Sequence, residues 1–254
     1  MPRLTFRFYR ELNDFLPRHL RQRDIQRSFL LAGSIKDAIE SIGVPHTEID
    51  LILVNGESVD FDYQFRDADR VSVYPVFESL DISSVSRLRP HPLREPRFVL
   101  DCHLGRLARY LRLLGFDCLF RNDYADETLL QISIEQRRIL LTRDIGLLKR
   151  RQLERGYFVR ATKPRAQLAE VVQRLQLQSC MRPFSRCIAC NGSIAAVRKE
   201  DIARFLPDNT RRYFHEFFQC RDCLRVYWKG SHYERMKLLV RELNFASTSA
   251  AQTS

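Results

Sequence analysis

Two pairs of cysteines carry the most specific chemical signal in the chain: Cys187-x2-Cys190 and Cys220-x2-Cys223, separated by 29 residues. Each such turn aims two thiolates at one point. Four of them close a tetrahedral Zn²⁺ site with no open position, so the ion would be structural. A redox dithiol is the alternative use of the same spacing. Cys102, Cys118 and Cys180 lack a partner at ligand spacing and read as buried thiols.

Carboxylates supply the second signal. A short apolar strand, Phe98-Val99-Leu100, runs into Asp101, and a second, Ile139-Leu140-Leu141-Thr142, into Arg143-Asp144. Ligands of open α/β sheets collect at the carboxyl ends of parallel strands, so Asp101 and Asp144 are expected to converge. Between them lies a loop with Asp123, Asp126 and Glu127. Clustered carboxylates repel unless a cation sits among them, and hard oxygens suit Mg²⁺ or Mn²⁺, which can hold a phosphate and activate a water. The same acids have an ordinary alternative use as helix caps: Asp123 or Asp126 for a helix at Thr128, and Asp144 for one opening at Ile145. His103 adjoins Asp101 with no second histidine at ligand spacing.

Helical periodicity places the next candidates. Leu104, Leu107, Ala108, Leu111 and Leu114 form one stripe, and Gly115 is placed to end the helix. At about 100° per residue Arg106 and Arg109 fall on the opposite side, with Arg112 toward the flank. With Arg143 these are the candidates for contacts to the phosphates of a polyanion, which the forked guanidinium suits. Beyond the cysteines, Arg225-Val226-Tyr227-Trp228-Lys229 follows Arg211-Arg212-Tyr213-Phe214 and Phe217-Phe218. Such interleaving either stacks and clamps single-stranded RNA or builds the small core of a ribbon.

Upstream the elements are of another kind. Leu4, Phe6 and Phe8 alternate as in a half-buried strand, Ser34 caps a helix carrying Ile35, Ala38, Ile39 and Ile42, and a strand over Ile49–Val54 meets the turn pair Asn55-Gly56 before a strand around Val71 and Val73. This β-β-α-β-β order resembles the ubiquitin-like β-grasp fold, particularly the small sulfur carriers. Those end in Gly-Gly, whereas here Tyr74-Pro75-Val76-Phe77-Glu78 runs on, so an accessory or docking domain with a protein partner is expected. Ser83, Ser84, Ser86, Pro90, Pro92 and Pro96 mark a linker.

Composition agrees with this division. The 254 residues carry a formal charge of +11, with 10 Lys and Arg against 14 Asp and Glu in residues 1–86 and 32 against 17 beyond them. A polyanionic partner is expected for the second part. No apolar run approaches the roughly 18 residues of a spanning helix, and no signal-peptide block opens the chain, so a cytoplasmic, reducing compartment is expected.

The segment Phe98 to Gly115, the strand Ile139–Thr142 with Arg143-Asp144, and the cysteine module together resemble the Mut-seven C-terminal RNase domain family. That family joins a PIN-like nuclease core to a zinc ribbon, often behind a ubiquitin-like domain. The resemblance implies an α/β protein with an α+β first part: a β-grasp over 1–80, a linker over 81–96, a PIN-like Rossmannoid core over 97–180, a zinc ribbon over 181–245 and a disordered tail over 246–254. It further implies a metal-dependent ribonuclease in which Asp101, an acid of the Asp126-Glu127 pair, and Asp144 hold the cation. After Asp144 only Glu154 precedes Tyr157-Phe158-Val159, where PIN-like folds commonly add a fourth acid.

Overall fold

The computed structural model describes residues 1–75, 88 and 96–250. In chain order the first elements are β1 (Arg3–Phe8), β2 (Ile25–Ser28), α1 (Ile35–Ile42), β3 (Ile49–Val54), β4 (Glu57–Val59) and β5 (Arg70–Pro75). Then come β6 (Arg97–Leu100), α2 (Gly105–Leu113), β7 (Asp117–Phe120), α3 (Asp126–Glu135), β8 (Ile139–Thr142), α4 (Ile145–Leu148), β9 (Gly156–Phe158) and α5 (Pro164–Arg174). The chain closes with β10 (Ile194–Val197), α6 (Lys199–Ile202), α7 (Asp208–Tyr213), β11 (Phe217–Cys220), β12 (Val226–Trp228) and α8 (Ser231–Ala250).

Two compact units divide these elements. The first comprises Met1–Arg94 together with Thr142–Phe158, and the second Glu95–Leu141 with Val159–Ser254. This division differs from the expected core over 97–180, because α4 and β9 group with the first unit. The linker expected over 81–96 falls outside the described residues apart from Leu88 and Pro96.

In the first unit a five-stranded sheet of order β2-β1-β5-β3-β4 carries α1 on one face. Strand β1 is parallel to β5 and antiparallel to β2. Alternation explains the packing: Leu4, Phe6 and Phe8 point inward to meet Ile35, Ala38, Ile39 and Ile42. The Ser34 hydroxyl caps α1 by accepting from Asp37 N at 3.1 Å. Asn55 and Gly56 both take positive φ, 52° and 93°, which a two-residue hairpin requires. The added strand β4 is only three residues long, too short for a periodic signal.

The segment 142–158 is tied into this unit by polar contacts. His46 is buried and sets Nδ1 2.6 Å from Glu40 Oε1 and Nε2 2.7 Å from the Leu153 carbonyl. Glu48 Oε1 accepts from Phe158 N at 2.6 Å, and Lys149 Nζ donates to Glu40 O at 2.8 Å. The rings of Phe15 and Phe158 meet edge to face at 5.5 Å.

In the second unit, parallel strands run in the order β7-β6-β8, with Phe98 opposite both Cys118 and Ile139. Phe98, Val99 and Leu100 are fully buried, as expected of a parallel strand covered on both faces. Helix α2 buries Leu107, Ala108 and Leu111. Gly115, at φ 93°, follows it, and a side chain there would collide with the Arg182 carbonyl. Strands β10-β11-β12 form a separate antiparallel sheet. Helix α8 continues to Ala250, so residues 246–250, expected within a disordered tail, are helical; 251–254 lie outside the described residues.

Candidate active site and cysteine centre

Asp101 stands directly after β6. Its backbone N donates to Leu141 O at 3.1 Å, and its carbonyl accepts from Leu104 N at 2.9 Å, which turns the chain through Cys102–Leu104 into α2. Close approach is required at Gly105, where a Cβ would lie 2.6 Å from the Phe120 ring. Beside this turn opens a polar recess of about 410 Å³, lined among others by Cys102, His103, Arg106, Arg109, Asn122 and Thr162. Arg106, Arg109 and His103 are exposed. The recess therefore presents two cations one helical turn apart, which suits a phosphate.

The ligand atoms of Asp101, Cys102 and His103 lie within 4.8 Å of one another. The Cys102 thiol is held above its ordinary value by its hydrogen bond to Asp101, with burial and the Asp101 charge adding to the effect. Among the described residues one other such group converges, the four cysteines; Asp126, Glu127 and Asp144 belong to neither.

Each of those acids has a definite setting. Asp126 and Glu127 are exposed in the first turn of α3. Asp123 is engaged by Arg121 through bonds of 2.9 and 2.7 Å, which, acting against slight desolvation, hold its carboxyl below the ordinary range. In the first unit Asp144 caps α4, with Oδ1 accepting from Gly146 N at 2.6 Å and more weakly from Leu147 N at 3.4 Å. The capping alternative is thus realised at Asp144. Its Oδ2 has no partner among the described residues. Arg143 is half-buried.

The expectation for Arg112 is corrected. Only 5% of it is exposed, and its guanidinium is consumed internally: Nε and Nη2 donate to Cys118 O at 3.0 and 2.8 Å, and Nη1 to Ala189 O at 2.8 Å. Desolvation lowers its pKa, with the nearby cysteines opposing the shift. A second brace lies alongside. Arg138 forks onto Asp117 at 2.8 and 3.2 Å, and Asn191 donates to Asp117 Oδ1 at 2.8 Å while accepting from Cys118 N at 2.9 Å. Burial alone would raise the Asp117 pKa, but these bonds and the Arg138 charge outweigh it and hold the carboxyl below its ordinary value. Arg112, Asp117 and Asn191 thus bolt the first cysteine turn onto the parallel sheet.

The four cysteines converge. Cys187 Sγ is 3.6 Å from Cys223 Sγ, and Cys190 Sγ is 3.4 Å from Cys220 Sγ. These are close to the roughly 3.8 Å edge of a tetrahedron with Zn–S bonds of about 2.3 Å, and far too long for disulfides. Backbone N–H groups of Cys190 and Gly192 point at Cys187 Sγ and Cys190 Sγ at 3.5 and 3.4 Å. A Cβ at Gly192 would lie 2.9 Å from Cys220 Sγ, so the spacing Cys190-Asn191-Gly192 is itself a cradle. Burial opposes ionisation of Cys187, yet the Tyr227 hydroxyl at 3.0 Å and the Cys190 and Ala189 N–H groups bring it down to about 6. Cys190 is pushed up to about 12, by burial first and by the neighbouring thiols, against a lowering bond from Gly192 N. Cys187 and Cys190, which ionise so unequally, belong to a set that a dication would equalise, and the four-sulfur donor set fits zinc. Spacing identified these four residues; Tyr227, which orients one of them, has no local signal beyond being an aromatic near a ligand.

The fold and the two ligand groups define a mixed α/β protein in which a β-grasp unit precedes a parallel-sheet core and a four-cysteine sheet. The model of the Mut7-C RNAse domain matches residues 96–240, and that of Mut7-C ubiquitin matches residues 1–81. The chain belongs to the Mut7-C RNAse domain family. No curated protein and no solved structure matches it. Among the described residues no helix is long and apolar enough to cross a membrane.

Proposed function

We propose that this protein is a metal-dependent ribonuclease that hydrolyses RNA phosphodiester bonds, with a PIN-like core as its catalytic part and a zinc ribbon as its structural appendage. The observation that carries this reading is the match to the Mut7-C RNAse domain over a segment in which Asp101 ends a parallel strand beside an arginine-rimmed recess. Asp101 and an acid at the start of α3 would hold Mg²⁺ or Mn²⁺. Asp126 is the better supported of the α3 pair, being exposed and without a partner among the described residues. Asp144 joins them on the sequence pattern alone, since it follows an apolar strand as Asp101 does. Hard oxygen donors fit such an ion. When bound, the ion would supply Lewis acidity and a water of lowered pKa. Arg106 and Arg109, with Arg143, hold the flanking phosphates and neutralise charge developing on the scissile one. The closed four-cysteine site holds Zn²⁺ and takes no part in the chemistry.

A second reading is favoured by one observation: Asp144 is employed as a cap. On that reading the protein is a non-catalytic RNA-binding adaptor. Cleavage of labelled RNA with Mg²⁺ or Mn²⁺, against an EDTA control, separates the two. The nuclease reading expects cleavage only with metal, and losses of orders of magnitude in Asp101→Asn and Asp144→Asn with folding and RNA binding retained. Asn caps nearly as well as Asp, so a cap-only Asp144 would leave its variant fully active. Full cleavage in EDTA or by both variants overturns the metal site, and binding without any cleavage establishes the adaptor.

A further inference from the structure

The four-cysteine sheet is covered differently on its two faces. Strand alternation sends Val197, Phe217 and Trp228 to one face, where they pack with Ile202 and Leu206 into a small core. Ile194, Phe218 and Tyr227 project from the other face, and there the packing is incomplete. They line a partly open pocket of about 110 Å³ with Phe184 and with Tyr233 and Met236 of α8; its wall is almost wholly apolar.

Aromatic rings dominate this pocket. Those of Phe184 and Tyr233 lie 4.6 Å apart at 41°, and the Tyr227 ring is fixed by its hydroxyl at Cys187 Sγ. Trp228 and Lys229 also contribute to the lining. Lys229 stands over the Phe218 ring at 5.9 Å and is paired with Glu216. The surrounding chain, residues 181–243, holds thirteen Arg and Lys against seven Asp and Glu. An apolar side chain from a protein partner needs no such excess of positive charge, whereas a nucleic acid strand is drawn by it.

We infer that this pocket takes an unpaired pyrimidine base of the bound RNA. Its volume is of the order of the roughly 150 Å³ apolar cavity that admits benzene, which leaves room for one six-membered ring and not for two fused ones. Aromatic walls stack on the faces of a base, the open side lets its polar edge keep water, and the basic surroundings hold the phosphates on either side. The inference rests on RNA being the ligand of the proposed function. It adds a second pocket, which shares no lining residue with the recess beside Asp101.

Trp228 is the sole tryptophan of the chain; its strand borders the pocket while its ring packs in the small core on the other face, so its fluorescence reports occupancy through the sheet. The experiment titrates the full-length, metal-loaded protein, with EDTA added only briefly to suppress cleavage and zinc retention verified, with short oligouridylate, oligoadenylate and an abasic ribose-phosphate strand of equal length. Oligouridylate is expected to quench Trp228 saturably and to bind about tenfold more tightly than the abasic strand, with oligoadenylate in between. Met236→Phe, which fills the pocket, should abolish that base-dependent advantage while leaving abasic binding unchanged; Tyr233→Ala should do the same if the first variant misfolds. Quenching by the abasic strand, equal binding of purine and pyrimidine, or an intact advantage in the variants overturns the inference. Base-dependent quenching in a protein that never cleaves RNA defeats only the nuclease reading, and cleavage without such quenching defeats only the pocket.

Discussion

Replacing Arg112 by Met keeps the volume of the side chain and removes every donor it uses. Two carbonyls, Cys118 O and Ala189 O, then lose their close donors inside the second unit, and Ile188 O loses a weaker one at 3.4 Å. An unsatisfied buried group costs roughly 1–3 kcal/mol, giving about 4 kcal/mol for the pair. Part of this is offset, because the guanidinium faces carbonyls and has no carboxylate partner, so its removal relieves a desolvation penalty. A net loss of about 3 kcal/mol corresponds to a fall in Tm of about 10 °C for a unit of this size. Circular dichroism melts of Arg112→Met and of the exposed control Arg109→Met measure it, the control being expected within about 0.5 kcal/mol of the parent. A variant that melts within about 2 °C of the parent yet binds RNA more weakly would refute the bolt and return Arg112 to the RNA face.

Three further outcomes are expected. The double variant Arg106→Ala/Arg109→Ala should fold normally and lower the slope of log affinity against log salt by about 1.4 for a single strand, and an unchanged slope would remove both residues from the RNA path. Zinc is expected at one equivalent by metal analysis. Because Cys190 is pushed up to about 12 while Cys187 is down to about 6, zinc uptake at neutral pH must release protons, and chelation should unfold the β10-β11-β12 sheet; a zinc-free protein with that sheet intact contradicts this. Asp117 is depressed in the folded state, so its contribution is complete above an unfolded value of about 3.9 and is lost as pH falls through the folded one. Urea midpoints should therefore drop more steeply with acid in the parent than in Asp117→Asn, and parallel curves would show that the Arg138 pair carries no such linkage.

Local patterns were legible in the sequence, and long-range ones were not. Ser34, Gly115, the alternation of Leu4, Phe6 and Phe8, and the cysteine spacing all act within a few residues, and the structure carries each of them. Arg112 defeats periodicity because the acceptors that bury it come from residues 118 and 189, which no helical wheel contains. Asp144 shows a different limit. A cap and a metal ligand require the same residue at the same place after a strand, so spacing cannot separate them. The 29 residues between the cysteine pairs hide α6 and α7 between β10 and β11, helices of four and six residues that are too short to show a stripe. Helix α8 escaped for the opposite reason: it is twenty residues long, but its buried side chains among those described are Leu239, Val240 and Leu243 alone.

The chain enters the first unit twice, and that has a consequence for how the molecule can be taken apart. Residues 142–158 leave the RNAse segment at the end of β8, anchor on His46, Glu40 and Glu48, and return at Val159. If the peptide joining the two parts is cut, the N-terminal piece is expected to stay with these seventeen residues, which gel filtration of the nicked protein would show. Conversely, a fragment starting at residue 96, where the family match begins, lacks His46 and Glu48, which bond the Leu153 carbonyl and the Phe158 amide. Such a fragment is expected to be insoluble or to lose its 142–158 loop to digestion, and adding residues 1–75 as a separate chain is expected to rescue it, much as a complementing fragment restores a split enzyme.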